Sequence, residues 1–206
     1  MSNDLTHDDA EPLVTGQPSE QRRGGRRLRW VLALVAILVV AFSVSVAFLT
    51  PTSTSTVAAS NLIGQNAPEL AGTTLSHLAI APHPYRGDYL IVNFFASWCI
   101  PCRSETGAIE SFVRSAKSRP YGSRLAILSV TVNDRRSSAT AFVRQTGMFW
   151  PVIYDGNGVI SLNWGVVNPP QTFIVAPNGK VVTRIVGQVT TATLSSVLSL
   201  AYSTYG

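Results

Sequence analysis

The alternation of apolar and polar stretches divides the chain into an N-terminal appendage and one folded domain. Residues 30–49 are 20 consecutive residues without a charge, enough for a helix of about 30 Å, the thickness of a bilayer core. Two shorter, mostly apolar runs follow at 89–95 and 124–132. Runs of this length are typical of strands buried on both faces of a sheet. The pattern therefore predicts a membrane-length helix followed by a domain that contains a buried sheet.

Segments with helical periodicity lie between these two strands and after the second one. Apolar side chains recur at helical spacing within 99–117, which predicts a helix there. A polar helix over 137–146, a short strand over 152–154 and a helical turn or two over 157–164 come next. Strand, helix and strand at this spacing predict a βαβ unit with parallel strands and a right-handed crossover.

The last part of the chain has the pattern of a hairpin followed by a helix. Asn178-Gly179 is a strong signal for a two-residue turn between apolar runs at 170–175 and 180–186. Apolar positions within 190–202 fit a final helix. Together these elements predict an α/β domain.

The segments before residue 62 are predicted to attach this domain to the cell membrane as a single-pass protein. We interpret 1–29 as a disordered cytoplasmic tail, 30–49 as a transmembrane anchor and 50–61 as a polar stalk. Five arginines precede the apolar run, and the positive-inside tendency places them in the cytoplasm and residues 62–206 outside. The alternative is a signal peptide cleaved after 57–59. The apolar region of a signal peptide is only about 7–15 residues long, which is shorter than the run over 30–49.

The distribution of charged residues indicates which kinds of binding partner to expect. The formal net charge is +5, and the tail before residue 30 sums to zero, with five arginines against five acidic residues. The outer domain therefore carries the whole excess, eleven basic against six acidic residues. These basic residues are scattered, which is typical of a solvated basic face; proximity to anionic lipid or to an acidic partner is the further possibility. No nucleic-acid recognition motif is present, so no nucleic-acid partner is expected.

The only two cysteines, Cys99 and Cys102, stand at the predicted start of a helix. Unpaired backbone N–H groups and the helix dipole lower a thiol pKa there and favour the nucleophilic thiolate. Pro101 lacks an N–H, which costs nothing in a first helical turn. A disulfide across a two-residue gap contributes little stability, which favours redox chemistry. The alternatives are an inert buried pair and half of a zinc site completed by His77 and His83.

At these residues the sequence resembles a known family. Trp98-Cys99-Ile100-Pro101-Cys102 resembles the thioredoxin active site, and Asn93 to Cys99 with Arg103-x-Glu105 resembles the membrane-anchored, extracytoplasmic TlpA/ResA/DsbE-like branch. The resemblance implies a thioredoxin-like sandwich, a mixed central sheet flanked by helices. It also implies a thiol–disulfide oxidoreductase that requires no metal and no organic cofactor.

A second segment, Trp164 to Phe173, resembles the branch pattern Tyr/Trp-Gly-Val-x-Gly-x-Pro-x-Thr-Phe. By this resemblance Pro170 follows a cis peptide bond and faces the cysteines; an ordinary trans proline is the alternative. Asn168 replaces a frequent glycine, and Pro169 precedes Pro170, so both are expected to reshape the substrate groove. The predicted substrate-binding residues are Trp98, Pro101, Pro169 and Pro170.

Two polar side chains near the cysteines also have expected roles. Asn93 occupies the position of a buried aspartate that transfers protons in cytoplasmic thioredoxins. An amide side chain cannot transfer a proton in this way. Glu105 matches an acidic residue that is linked to thiol ionisation in ResA-like proteins. Our hypothesis is that Glu105 accepts the proton of Cys102; an exposed glutamate near the helix N-terminus is the alternative.

The resemblance implies a mechanism and partners. Cys99 attacks a disulfide of a protein substrate and Cys102 resolves the mixed disulfide. The expected substrate is oxidised apocytochrome c before haem attachment, and the expected donor is a transmembrane protein that carries electrons from cytoplasmic thioredoxin. An oxidant that forms disulfides in exported proteins is one alternative. A copper chaperone is another, in which Met148 would have to supply the distal ligand.

Overall fold

The computed structural model describes residues 24–49 and 55–205. The first of these ranges is one helix, α1 (Gly24–Leu49), 26 residues long. The helical conformation predicted for 30–49 is confirmed, and the helix begins six residues earlier, since arginines propagate a helix well. Residues 1–23 of the predicted tail lie outside the described residues. Within the described ranges, no helix combines the length and the apolar character that a membrane crossing requires.

The second range is a separate compact unit that contains the predicted α/β domain. Its strands are β1 (Thr56–Val57), β2 (Gly72–Thr73), β3 (Ala79–Ile80), β4 (Tyr89–Phe95), β5 (Leu125–Thr131), β6 (Val152–Ile153), β7 (Gln171–Val175) and β8 (Val181–Val186). Its helices are α2 (Ile100–Ala116), α3 (Arg136–Thr146), α4 (Val159–Asn163) and α5 (Thr191–Tyr205), with a 3₁₀ turn at Gly122–Arg124. The predicted elements are therefore all present, with boundaries that differ by a few residues.

The central sheet is mixed, as predicted, with the strand order β1-β8-β7-β4-β5-β6. Strands β4, β5 and β6 are parallel, whereas β7, β8 and β1 join by antiparallel pairing. Asn93 in β4 is paired with Ser129 on one side and Thr172 on the other. This register places three polar side chains in adjacent central strands.

Helices cover the two faces of the sheet. On one face, Ile109 and Phe112 of α2 and Leu198 of α5 pack against Ile91 and Ile174. On the other face, a cluster of large apolar side chains joins the sheet to α4 and to the segment before β2; it includes Phe94 and Phe173 of the sheet, Trp164 at the end of α4 and Leu70 before β2. Each such buried side chain contributes about 1.5–3 kcal/mol. Both faces of β4 are therefore covered, which explains why its sequence is almost entirely apolar.

The predicted stalk over 50–61 needs a correction in the part that the structure describes. Thr56 and Val57 form β1 and pair antiparallel with Val186 and Ile185 of β8. The backbone N–H of Ala58 also donates to the carbonyl of Arg184. An edge strand offers unpaired backbone groups to any extended segment, so a polar sequence can join the sheet without an apolar pattern.

Candidate active site

The two cysteines form a disulfide at the start of α2, with their Cα atoms 5.3 Å apart. Strand β4 ends at Phe95, a tight turn follows, and Cys99 is the N-terminal cap of the helix. The backbone N–H of Cys102 points at the Cys99 sulfur at 3.2 Å. Cys99 is 5% exposed and Cys102 1% exposed, so the first sulfur is the more accessible one. A backbone donor aimed at this sulfur stabilises a thiolate once the bond is reduced.

The turn before α2 is hydrogen-bonded to the loop after β5, a contact that the sequence did not predict. Asp134, just after β5, accepts hydrogen bonds from the backbone N–H and the hydroxyl of Ser97, at 2.6 and 2.9 Å. The indole N–H of Trp98 donates to the carbonyl of Asn133 at 3.1 Å, and the Trp98 ring is 57% exposed. Because neighbouring parallel strands end at one edge of a sheet, an acidic residue three positions after the end of β5 was the available signal. Pro101 lies in the first helical turn, as predicted.

The predicted cis bond is confirmed between Pro169 and Pro170. Phe94 is paired with Gln171, so Pro170 lies beside the end of β4 and next to the turn that carries Cys99. Pro170 is buried and Pro169 half-buried. The backbone N–H of Gly187 donates to the Pro170 carbonyl at 3.0 Å.

A side-chain brace next to this bond was not predicted either. The Gln171 side-chain N–H donates to the carbonyl of Asn168 at 3.0 Å, and its oxygen accepts from Arg184 Nε at 2.9 Å. Gln171 is buried although it is polar. The only sequence signal was a pair of polar residues, Gln171 and Thr172, at the start of a strand that is otherwise apolar. The brace connects β8 to the loop that presents the two prolines.

Glu105 is buried, with 1% of its side chain exposed, so the alternative of an exposed helix glutamate is wrong. It lies one helical turn after Cys102, on the face of α2 that packs against the sheet. Its Oε1 accepts from the Asn93 side-chain amide at 2.8 Å, and its Oε2 accepts from the backbone N–H of Val189 at 3.0 Å. Burial raises the pKa of Glu105 to about 7, although these two donors act in the opposite direction.

Asn93 connects this carboxylate to a buried chain of hydrogen bonds. Trp150 Nε1 donates to the Ser129 hydroxyl at 2.8 Å, and that hydroxyl donates to Asn93 Oδ1 at 3.3 Å. The Asn93 amide nitrogen then donates to Glu105 and, at 3.2 Å, to Thr172 Oγ1. An amide cannot carry a proton, as the sequence indicated, but here it orients the group that can.

The two histidines lie away from this arrangement. His77 is in the turn of the β2–β3 hairpin, and His83 follows β3. His83 lines a cavity of about 90 Å³ together with Pro68, Tyr85 and Asp88. This cavity adjoins Leu90, near the start of β4, whereas the cysteines follow the end of that strand. Among the described residues, no group of three His, Cys, Asp or Glu side chains has a metal-binding arrangement.

Known proteins are similar to this chain in sequence and in fold. The sequence matches the model of the AhpC/TSA family over residues 63–184. It is 30% identical to a thiol:disulfide interchange protein DsbE homolog of Paracoccus denitrificans, over 62% of this chain and 68% of that protein. It is 27% identical to the thiol-disulfide oxidoreductase ResA of Bacillus thuringiensis, over 66% of this chain and 76% of that protein.

A solved structure has the same fold. The thiol:disulfide interchange protein of the thioredoxin family from Chlorobium tepidum superposes with a TM-score of 0.58 at 24% identity, over 70% of this chain and 99% of that one. Fold and site together thus define a thioredoxin-like thiol–disulfide oxidoreductase. The chain belongs to the AhpC/TSA family, and the resemblance to the ResA and DsbE proteins is confirmed.

Proposed function

We propose that this protein reduces disulfides of extracytoplasmic protein substrates through Cys99 and Cys102. The observation that carries the proposal is the position of the pair: a disulfide at the N-terminus of α2, beside cis-Pro170 and one turn before the buried Glu105. Cys99 caps the helix and is the more exposed cysteine. We therefore assign it the nucleophilic attack, and Cys102 the resolving step.

The reduced Cys99 thiolate attacks one sulfur of the substrate disulfide. A new S–S bond joins Cys99 to the substrate, and the other substrate sulfur leaves as a thiolate. The Cys102 thiolate then attacks the Cys99 sulfur, and the second substrate sulfur leaves. The substrate gains two electrons and two protons, and Cys99 and Cys102 end as a disulfide. A dithiol electron donor must reduce this disulfide before the next cycle.

Glu105 is the proposed acceptor of the Cys102 proton. A carboxylate whose pKa lies near the working pH is a better general base than an ordinary glutamate. The burial of Glu105 and its pKa of about 7 support this role. Its fixed hydrogen bonds to Asn93 and Val189 keep the carboxylate in one orientation while the thiol loses its proton.

Four residues around Cys99, of which Trp98 is the exposed one, are the proposed docking residues for the substrate. Trp98 directly precedes Cys99 and Pro101 lies in the first turn of α2, while Pro169 and Pro170 share the cis bond in the loop before β7. The backbone before a cis proline can pair with an extended segment as an edge strand would. The proposed substrate is the oxidised Cys-x-x-Cys-His motif of apocytochrome c, and the proposed donor is a membrane protein that transfers electrons from the cytoplasm.

The reduction potential of the pair in the full chain tests the direction of transfer. Equilibration in redox buffers can be followed by tryptophan fluorescence, because Trp98 adjoins Cys99. A value near or below about −270 mV, as in thioredoxin, is the expected result for a reductant. A value near about −120 mV, as in DsbA, would contradict the proposal and favour disulfide formation in exported proteins.

The proposed location is the outer face of the cell membrane, with residues 30–49 as a retained anchor. The sequence supports this part of the proposal through 20 uncharged residues that follow a cluster of arginines. We expect the full chain to remain in the membrane pellet after an alkaline carbonate wash. Release into the supernatant, or an N-terminus shortened to about residue 60, would contradict the anchor.

A further inference from the structure

Three loops and the first turn of α2 meet around Cys99 and form one exposed surface. The turn before α2 is hydrogen-bonded to the loop after β5 through Ser97 and Asp134. The pairing of Phe94 with Gln171 brings the loop before β7 to the same edge of the sheet. We call this surface the redox face; its exposed members are Trp98, Ile100, Arg103, Arg135 and Val167.

The centre of the redox face is apolar. Ile100 and Val167 are each 80% exposed, and Trp98 is 57% exposed. Ile100 and Trp98 flank Cys99 in the sequence. Large apolar side chains gathered at one place on a surface mark a contact site for another protein. This centre fits apolar residues next to a substrate disulfide.

Basic side chains surround this centre. The Arg103 guanidinium lies 4.9 Å from the centre of the Phe142 ring, and Phe142 packs in the same cluster as both cysteines. Arg135 directly follows Asp134 and is exposed. Arg184 is held beside the cis bond through Gln171. The charges near the cysteines that reach solvent are therefore predominantly positive.

The acidic side chains near this face already accept hydrogen bonds from groups within the domain. Glu105 is buried against Asn93 and Val189. Asp134 holds Ser97, and the buried Asp155 accepts from the backbone N–H groups at the start of α4. In the described parts of the chain, the one salt bridge formed between side chains lies farther along α2, between Arg114 and Glu110. The redox face thus presents arginines without carboxylate partners among the described residues.

We infer that the redox face docks an acidic segment of the partner protein, with carboxylates flanking an apolar stretch that carries the disulfide. This inference rests on the proposed function, because the docked disulfide is the one that Cys99 attacks in the exchange described above. Complementary charge raises the rate of encounter and selects the partner, while the apolar centre supplies contact area.

Two synthetic peptides with one intramolecular disulfide test the inference. Both have the same cysteine spacing and apolar residues, and one is flanked by aspartates while the other is flanked by lysines. The reduced full chain, in a neutral detergent, is mixed with each peptide, and the second-order rate of exchange is measured. We expect the acidic peptide to react about tenfold faster at about 0.01 M salt, and this advantage to vanish near 1 M salt.

Matched double variants locate the effect. Arg103→Gln with Arg135→Gln removes two charges from the redox face and should abolish most of the preference for the acidic peptide. Lys117→Gln with Arg119→Gln removes two exposed charges beyond the other end of α2 and should leave the preference unchanged. An equal loss in both double variants would assign the effect to net charge and would overturn the inference.

A neutral small disulfide separates this inference from the proposed function. If bis(2-hydroxyethyl) disulfide is reduced but the two peptides react at equal rates, the docking inference fails and the oxidoreductase function stands. If the chain reduces none of the three disulfides, the proposed function itself fails. Equal peptide rates together with binding of anionic vesicles through Arg103 and Arg135 would assign the face to lipid, and would also overturn the inference.

Discussion

The two halves of α2 bury different kinds of side chain on the same face of one helix. The first half buries polar or reactive groups, namely Cys102, Glu105 and Thr106. The second half buries apolar groups, namely Ile109, Phe112 and Ala116. Burial of the apolar groups stabilises the fold, whereas burial of a carboxyl group costs free energy and shifts its pKa. The difference suggests that substitutions in the first half change chemistry and substitutions in the second half change stability.

The largest effect on chemistry is expected at the start of the helix. Cys99→Ser should abolish disulfide exchange, because the attacking sulfur is lost, and Cys102→Ser should accumulate a mixed disulfide with the substrate. Stopped-flow exchange kinetics and mass spectrometry of the trapped adduct measure the two outcomes. Exchange by Cys99→Ser at the wild-type rate would show that the nucleophile is misassigned.

The largest effect on stability is expected in the second half. Phe112→Ala removes a fully buried ring from the core and should lower the free energy of unfolding by about 3–5 kcal/mol. The control Ser111→Ala, at an exposed position of the same helix, should change it by less than about 0.5 kcal/mol. Urea unfolding of the oxidised chain measures both. If Phe112→Ala also changed the pH dependence of disulfide exchange, the second half of α2 would affect chemistry as well as stability. The proposed difference between the two halves of the helix would then be wrong.

Glu105 should make the stability depend on pH. Its carboxyl has a pKa of about 7 in the folded chain against an ordinary value of 4.5, so between these pH values the native state binds one more proton than the unfolded state. Stability therefore falls as the pH rises through this window, by about 3 kcal/mol at 1.4 kcal/mol per pKa unit. Glu105→Gln should remove this slope, and it should also slow the resolving step near neutral pH.

The free energy of unfolding at about pH 5 and at about pH 8 gives the dependence of stability on pH. The rates of disulfide exchange across the same pH range show whether the resolving step is slowed. Glu110→Gln, on the same helix but in the exposed pair with Arg114, is the matched control and should keep the wild-type slope. Identical pH profiles for wild type and Glu105→Gln would refute both the buried ionisation and the proton-acceptor role.

The smallest effect is expected from the salt bridge between Arg114 and Glu110. The two side chains are 64% and 31% exposed, and solvent screens their attraction. Arg114→Gln should therefore change the free energy of unfolding by no more than about 0.5 kcal/mol and should leave exchange unaltered. A loss above about 1 kcal/mol would show that this half of α2 also depends on charge.

The elements that sequence reasoning recovered best depend on local signals. The apolar run of β4, the helix that starts at Cys99 and the Asn178-Gly179 hairpin each follow from neighbours within a few residues. The cis bond before Pro170 is not a local property, since trans is preferred for most prolines, and family resemblance identified it. Strand β1 was missed, because edge pairing uses backbone groups that any polar sequence carries.

The sequence by itself determined the α/β order of elements, the reactive pair and its place at a helix N-terminus. The tertiary structure decided the environment of that pair. Glu105 meets the backbone of Val189, 84 positions away, and Ser97 meets Asp134, 37 positions away. No periodicity encodes such contacts, because they arise only when separate strands and helices pack at one edge of the sheet. The physical reason is burial: a carboxyl group acquires a pKa near 7 only where the whole fold excludes water from it.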